Sequence, residues 1–278
     1  MVLICNASWL PDPPADTSAW WFYGFMIAAV IVMGIAKSGF GGGIGILAVP
    51  LVANALPPDE TGRALGIMLP ILIVADLFAV YQHRGQQSWR HMRPALGGAV
   101  IGIALGTLLL FLLVGSGDAA SKDRVASVLS VLVGSICLLM VAVQVYRMCG
   151  GKVPTLPGNK PTGVSVGAAA GLTSMLAHAA GPIMSIYWLD QKLGKRLLTG
   201  SLVLYFLLVN SAKLPSYVAL NWITFETLKQ SALFALFVPI GSLLGIVMHH
   251  RIPEKPFTVV MYAGAAVAGG WLIIKVVV

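Results

Sequence analysis

Six stretches of largely apolar residues recur along the chain, each close to the roughly 20 residues a helix needs to cross the hydrocarbon core of a bilayer. They run approximately over 64–82, 93–114, 124–147, 198–218, 228–249 and 257–277. Lipid offers the backbone no hydrogen-bonding partner, so such segments satisfy their own N–H and C=O groups as helices. Hydrophobic residues make up 58% of the 278 and charged residues only 10%, against about a quarter charged in soluble domains. The runs continue from Trp20 to Val278 and leave no stretch for a separate soluble core. The fold class expected is therefore an all-α polytopic membrane protein.

Two further regions, about 20–56 and 162–190, are apolar but interrupted, at Gly41-Gly42-Gly43 and at Gly181-Pro182. Each reads as two short helices with a break between them. The pieces Ile44 to Leu56 and Pro182 to Leu189 are short for a span, which favours re-entrant hairpins over thin full spans.

The net charge of +8 is a topology signal rather than a nucleic-acid patch, because Lys and Arg fall mainly in short gaps between apolar runs. Arg84, Arg90 and Arg93 share one gap, and Arg147, Lys152 and Lys160 share another. Lys192, Lys195 and Arg196 fill a third, Arg251 and Lys255 a fourth. With the amino terminus outside, all four fall inside, while the gaps around Asp59-Glu60, Asp118 and Asn221 fall outside, as the positive-inside rule requires. Residues 1–19 hold no Lys or Arg and read as a retained extracytoplasmic tail, with the carboxyl terminus also outside.

Under this topology the region from Trp20 enters from outside and the region from Thr162 enters from inside. Two inverted repeats are expected, 20–147 and 162–278, joined by a cytoplasmic linker at 148–161. Each holds an interrupted helix or re-entrant hairpin plus three spanning helices. Weak internal similarity agrees: Gly43 aligns with Gly181, Gly66 with Gly200, Asp76 with Asn210, and Gly102 and Gly106 with Gly241 and Gly245. Inverted repeats with broken helices suit alternating access around a midplane site. Gly98, Gly102 and Gly106 recur every four residues, as do Gly163, Gly167 and Gly171, and read as close helix contacts rather than ligand sites.

Ionisable residues inside a membrane cost about 2.5–3.5 kcal/mol on insertion scales, so each requires a partner, a wet cavity or a function. Asp76 is the one acidic residue deep in an apolar run, and Lys37, His178 and Lys213 are the deep bases. Lys37 opens Lys37-Ser38-Gly39-Phe40-Gly41-Gly42-Gly43, where backbone N–H groups, the start of a second helix, the Ser38 hydroxyl and an ammonium together attract a desolvated oxyanion. The spacing is not that of a nucleotide-binding loop. In the bland reading the glycines only permit a tight turn, and Lys37 snorkels or pairs with Asp76.

His178 stands in His178-Ala179-Ala180-Gly181-Pro182, where it donates to an anion, carries a proton, or merely packs. Pro182, lacking an N–H, suits the first turn of the helix that follows. Asp76 and Asn210 hold matching positions in the two halves, and pairing or proton coupling fits Asp76 better than anion contact. Lys213, three residues beyond Asn210, reaches this group or an interface. Trp20, Trp21, Trp89 and Trp222 near helix ends read as an interfacial belt. The eleven methionines and the scattered Cys5, Cys137 and Cys149 show no metal or redox spacing, and no cofactor is expected.

The two breaks and the two-half layout resemble the TauE/SafE sulfite exporter family, also called TSUP, over nearly the whole membrane region. The resemblance implies a prokaryotic inner-membrane transporter of sulfite, sulfonates or related sulfur-containing anions. Onto this chain it carries Lys37 through Gly43, and His178, Gly181 and Pro182; there is no lysine at the second break. The expected function is a secondary transporter exporting such an anion with proton coupling, its partners being the anion, protons and lipid. A passive channel and, less favoured, a membrane enzyme are the alternatives.

Overall fold

Every long apolar run becomes α-helix. The structure, a computed structural model, describes residues 18–40, 47–57, 60–114, 119–151, 155–251 and 254–277. Eleven helices stand among them: α1 (Ala19–Phe40), α2 (Ala48–Ala55), α3 (Thr61–Gln82), α4 (Trp89–Val114), α5 (Ala119–Met148), α6 (Lys160–Ala177), α7 (Ala180–Asp190), α8 (Lys195–Ala219), α9 (Phe225–Ala235), α10 (Val238–Arg251) and α11 (Glu254–Val277). The expectations placed on Gly41, Gly42 and Gly43, on Cys5, Asp59, Asp118 and Lys152, and on all but the last residues of the 1–19 tail lie outside the described residues.

Six helices, α1, α3, α4, α5, α8 and α11, are long and apolar enough to cross a membrane, and α9 with α10, bent by 40° at their break, pass the same test together. The protein is thus a multi-pass membrane protein. Its surface agrees: Leu112, Leu243, Val247, Val267 and Trp271 are exposed, whereas Lys37, Asp76, Asn210 and Lys213 are buried. Apolar side chains face outward and charge faces inward, as a lipid solvent demands.

Three local expectations need correction. The run at 228–249 is not one helix. The ring of Pro239 clashes with the carbonyl four residues back, and that is Ala235, the last residue of α9. Next, the region 20–56 does not begin with a short helix, because α1 has 22 residues and carries Lys37 and Ser38 in its last turns. The short piece is α2, whose eight residues rise about 12 Å at ~1.5 Å each, far less than a ~30 Å core. Finally, the second interruption falls at His178-Ala179, before Gly181-Pro182, so that Pro182 already sits in the first turn of α7, where a missing N–H costs nothing.

The ends of these short helices are tied down. The Asn54 amide donates to the Ala268 carbonyl at 2.9 Å, and the Lys275 ammonium caps the free Leu56 carbonyl at 2.7 Å, fastening α2 to α11. On α7, the Leu156 N–H donates to the Asp190 carboxylate at 3.0 Å. Helix α6 starts at Asn159, whose side chain accepts from the Thr162 N–H, with Pro161 beside the cap.

The tightest helix pairs join distant parts of the chain: α4 with α6 and α1 with α10, while α3 lies against α8 and α5 against α11. Glycine makes the first two possible. A methyl at Gly98 would sit 2.0 Å from the Val164 carbonyl oxygen, one at Gly102 2.0 Å from that of Ala168, and one at Gly167 2.1 Å from that of Ala95. The two glycine rows read as packing faces do pack on one seam. Along α1 and α10, Gly34 and Gly241 meet backbone to backbone. Trp222 is not a belt residue: it lies 5.1 Å from the Tyr217 ring and covers Gly62 and Gly66, whereas Trp20, Trp21 and Trp89 are exposed.

Gly102→Val is expected to destabilise the protein by about 2 kcal/mol or more, since neither backbone can retreat without opening the seam. Gly97→Ala, with open space at its Cα, should stay within about 0.5 kcal/mol of the parent. Thermal unfolding of the detergent-solubilised variants measures both.

Candidate functional site

Four helices bring the deep ionisable residues to one place. Lys37 comes from the last turns of α1, Asp76 from the second half of α3, His178 from the end of α6, and Asn210 and Lys213 from the middle of α8. A lysine near a helix C-terminus also meets the negative end of the helix dipole, which favours its charge. His178 caps α6 in the left-handed conformation, φ 50°, with its N–H on the Ser174 carbonyl. That turn swings the imidazole off the helix and into the protein interior.

The first cluster centres on Asp76, which is fully buried. Its Oδ1 accepts from the Lys37 ammonium at 2.5 Å and its Oδ2 from the Asn210 amide at 2.6 Å. Lys37 also lies 4.4 Å above the Phe206 ring, a cation–π contact. The pairing of Lys37 with Asp76 raised by the sequence is thus present, and Asn210, the matching residue of the other half, completes it.

The second cluster centres on Lys213, also fully buried. Its ammonium reaches the Ser174 carbonyl at 3.1 Å, the Ser174 hydroxyl at 3.0 Å and His178 Nδ1 at 2.6 Å. On the other side of the ring His178 Nε2 lies 3.2 Å from the Leu65 carbonyl of α3. A carbonyl only accepts, so Nε2 carries a hydrogen and donates. Tyr217 supports the same corner, its ring tilted against His178 at 5.8 Å and its hydroxyl donating to the Met175 carbonyl at 2.7 Å.

Between the clusters lies a small, partly enclosed cavity. Lys37, His178, Ser174 and Asn210 supply its polar wall, Met33, Leu72 and Phe206 its apolar wall, and Ala180, Gly181 and Pro182 bring up the start of α7. Behind the polar wall stand Asp76, which holds Lys37 and Asn210, and Lys213, which holds His178 and Ser174. The Lys37 ammonium, the Ser174 hydroxyl and the Asn210 amide bring donors to the cavity, both nitrogens of the His178 ring are engaged by Lys213 and Leu65, and both oxygens of Asp76 are occupied. The N-terminus of α7 adds partial positive charge. Such a wall suits an anion.

Of the residues proposed from sequence, Lys37, His178, Gly181, Pro182 and Asn210 line the cavity, with Asp76 and Lys213 directly behind. Ser38 is buried and its hydroxyl has no partner among the described residues, but it does not line the cavity. Phe40 ends α1. Ser174, Phe206 and the Leu65 carbonyl escaped the sequence reading. Two of them carry a usable signal, because Ser174 precedes His178 by four residues and Phe206 precedes Asn210 by four, one helical turn on the same face.

The family model described as sulfite exporter TauE/SafE fits residues 26–272 of the chain. No curated protein and no solved structure matches the chain.

Removing one member of a buried ion pair strands the other. Asp76→Ala is expected to cost about 3–5 kcal/mol, and the double change Lys37→Met with Asp76→Leu to recover most of that loss. A double-mutant cycle by denaturant unfolding in detergent gives the coupling directly.

Proposed function

We propose that this chain, which belongs to the sulfite exporter TauE/SafE family, is a secondary transporter that moves a small sulfur-containing oxyanion, sulfite or a simple sulfonate, out across a prokaryotic inner membrane with proton coupling. The observation that carries the reading is the donor-walled cavity between Lys37 and His178, deep among helices that are long and apolar enough to cross a membrane. An oxyanion there meets the Lys37 ammonium, the Asn210 amide, the Ser174 hydroxyl and the His178 ring, with apolar contact from Phe206 and Leu72. Asp76 and Lys213 are the groups within one bond of that wall, so either is placed to exchange a proton as the anion comes and goes.

Alternating access is commonly built on repeats related by symmetry, and the helix pairing supports such a relation. Exchanging the two halves, with α6 for α1, α8 for α3, α10 for α4 and α11 for α5, carries the α1–α10 pair onto α6–α4 and returns α3–α8 and α5–α11 to themselves. Repeats related by a two-fold axis in the membrane plane behave in this way. Asp76 and Asn210 then meet on the axis. Two hydrogen bonds cross between the halves at the site, Asn210 to Asp76 and His178 to the Leu65 carbonyl.

In proteoliposomes, sulfite and methanesulfonate flux should saturate and respond to an imposed pH gradient. Lys37→Ala should reduce the flux at least ~100-fold, in line with loss of a buried charge-assisted contact of about 3 kcal/mol. Undiminished flux in that variant removes Lys37 from the site. The topology has its own check. With both ends outside, which has α1–α2 and α6–α7 each return to the side they enter from, a membrane-impermeant thiol reagent applied to intact cells should label Cys5, and should reach the exposed Cys149 only after permeabilisation.

A further inference from the structure

The charges around the cavity do not balance. Lys37 is met by Asp76 at 2.5 Å, but among the described residues no carboxylate pairs with Lys213. The groups facing the Lys213–His178 pair are the Ser174 carbonyl and hydroxyl from α6, the Leu65 carbonyl from α3 and the Tyr217 ring from α8 itself. None is an anion. As an ammonium, Lys213 places its three hydrogens on three acceptors, Ser174 O, Ser174 Oγ and His178 Nδ1, with the imidazole neutral and its hydrogen on Nε2. If that proton crosses to Nδ1 the charge stays within the pair.

We propose, building on the transporter reading, that the site takes up one monovalent oxyanion of the sulfonate type, R–SO₃⁻, together with one proton held between Lys213 and His178, and that it rejects divalent oxyanions. A lone charge in the membrane interior is costly, whereas a proton on the pair and a single negative charge in the cavity neutralise each other across the His178 ring. The proton and the anion therefore strengthen each other's binding. A dianion such as sulfate would leave one negative charge unmatched, and the Lys37–Asp76 pair has no net charge to offer it. Sulfite, which interconverts between monoanion and dianion near neutral pH, is recognised as hydrogensulfite.

Binding of methanesulfonate and of sulfate to the purified protein in lipid nanodiscs, followed by calorimetry from mildly acidic to mildly alkaline pH, tests this. Neither anion changes charge over that range, so any pH dependence belongs to the protein. Methanesulfonate affinity should be highest at low pH and fall up to about tenfold per pH unit once the pair gives up its proton. Sulfate should bind at least ~10-fold more weakly where methanesulfonate binds best. Lys213→Met should weaken methanesulfonate and flatten its pH profile. His178→Gln, which keeps a donor for the Leu65 carbonyl, should flatten it too and serves where Lys213→Met fails to fold. A methanesulfonate affinity independent of pH, or sulfate bound as tightly, overturns the proposal. So does a pH dependence that survives in both variants and vanishes in Asp76→Asn, since the proton then sits on Asp76. A protein that binds neither anion at any pH overturns the transporter reading itself, and this inference with it.

Discussion

The ion pair of Lys37 with Asp76 is the constraint on which the rest of the interior depends. Two charges held deep among apolar helices survive only because each satisfies the other, and the carboxylate needs a second donor for its remaining oxygen. Asn210 is that donor. One carboxylate therefore fixes the relative positions of α1, α3 and α8, and with them one wall of the cavity. The opposite wall follows from the left-handed turn at His178, which ends α6 and aims the imidazole back toward α3. A polar interior of this kind is a specification as much as a liability, because the Lys37–Asp76–Asn210 contacts form only when α1, α3 and α8 come together.

The membrane class and most of the helices were legible in the sequence, for a simple reason: in lipid, burial and exposure are both apolar, so hydropathy over some 20 residues needs no knowledge of partners. The deep residues Lys37, Asp76, His178 and Lys213 announced themselves by rarity. What hydropathy does not carry is direction. It did not reveal that α1 runs on to Phe40, that the chain breaks at His178 rather than at Gly181-Pro182, or that Trp222 turns inward to cover Gly62 and Gly66. Pro239 did mark the bend between α9 and α10, through its clash with the Ala235 carbonyl, but an apolar proline inside an apolar run is easily read past. Ser174 and Phe206 are common in membrane helices, and only their one-turn spacing from His178 and Asn210 distinguishes them.

Polar chemistry and glycine packing divide the work of holding the helices. Hydrogen bonds and charge fix α1, α3, α6 and α8 around the cavity. The glycine rows bring α4 onto α6 and α10 onto α1 so closely that backbone meets backbone. The first set is sparse and exchangeable, as a site that opens and closes requires. The second is continuous and admits no side chain between the helices, which suits the stiff parts of a moving machine.

The seam between Gly34 and Gly241 also says something about how such a chain comes to be made. Helix α1 leaves the ribosome first, yet the surface that closes on it lies about 200 residues later, some 10–40 s of synthesis at ~5–20 residues per second. Through that interval the flat glycine face of α1 has only lipid or the insertion machinery against it. Lys37, by contrast, gains its counter-charge as soon as α3 enters, about 40 residues on. Assembly thus has a built-in order: charge is neutralised early and locally, and the close helix packing of α1 on α10 comes much later.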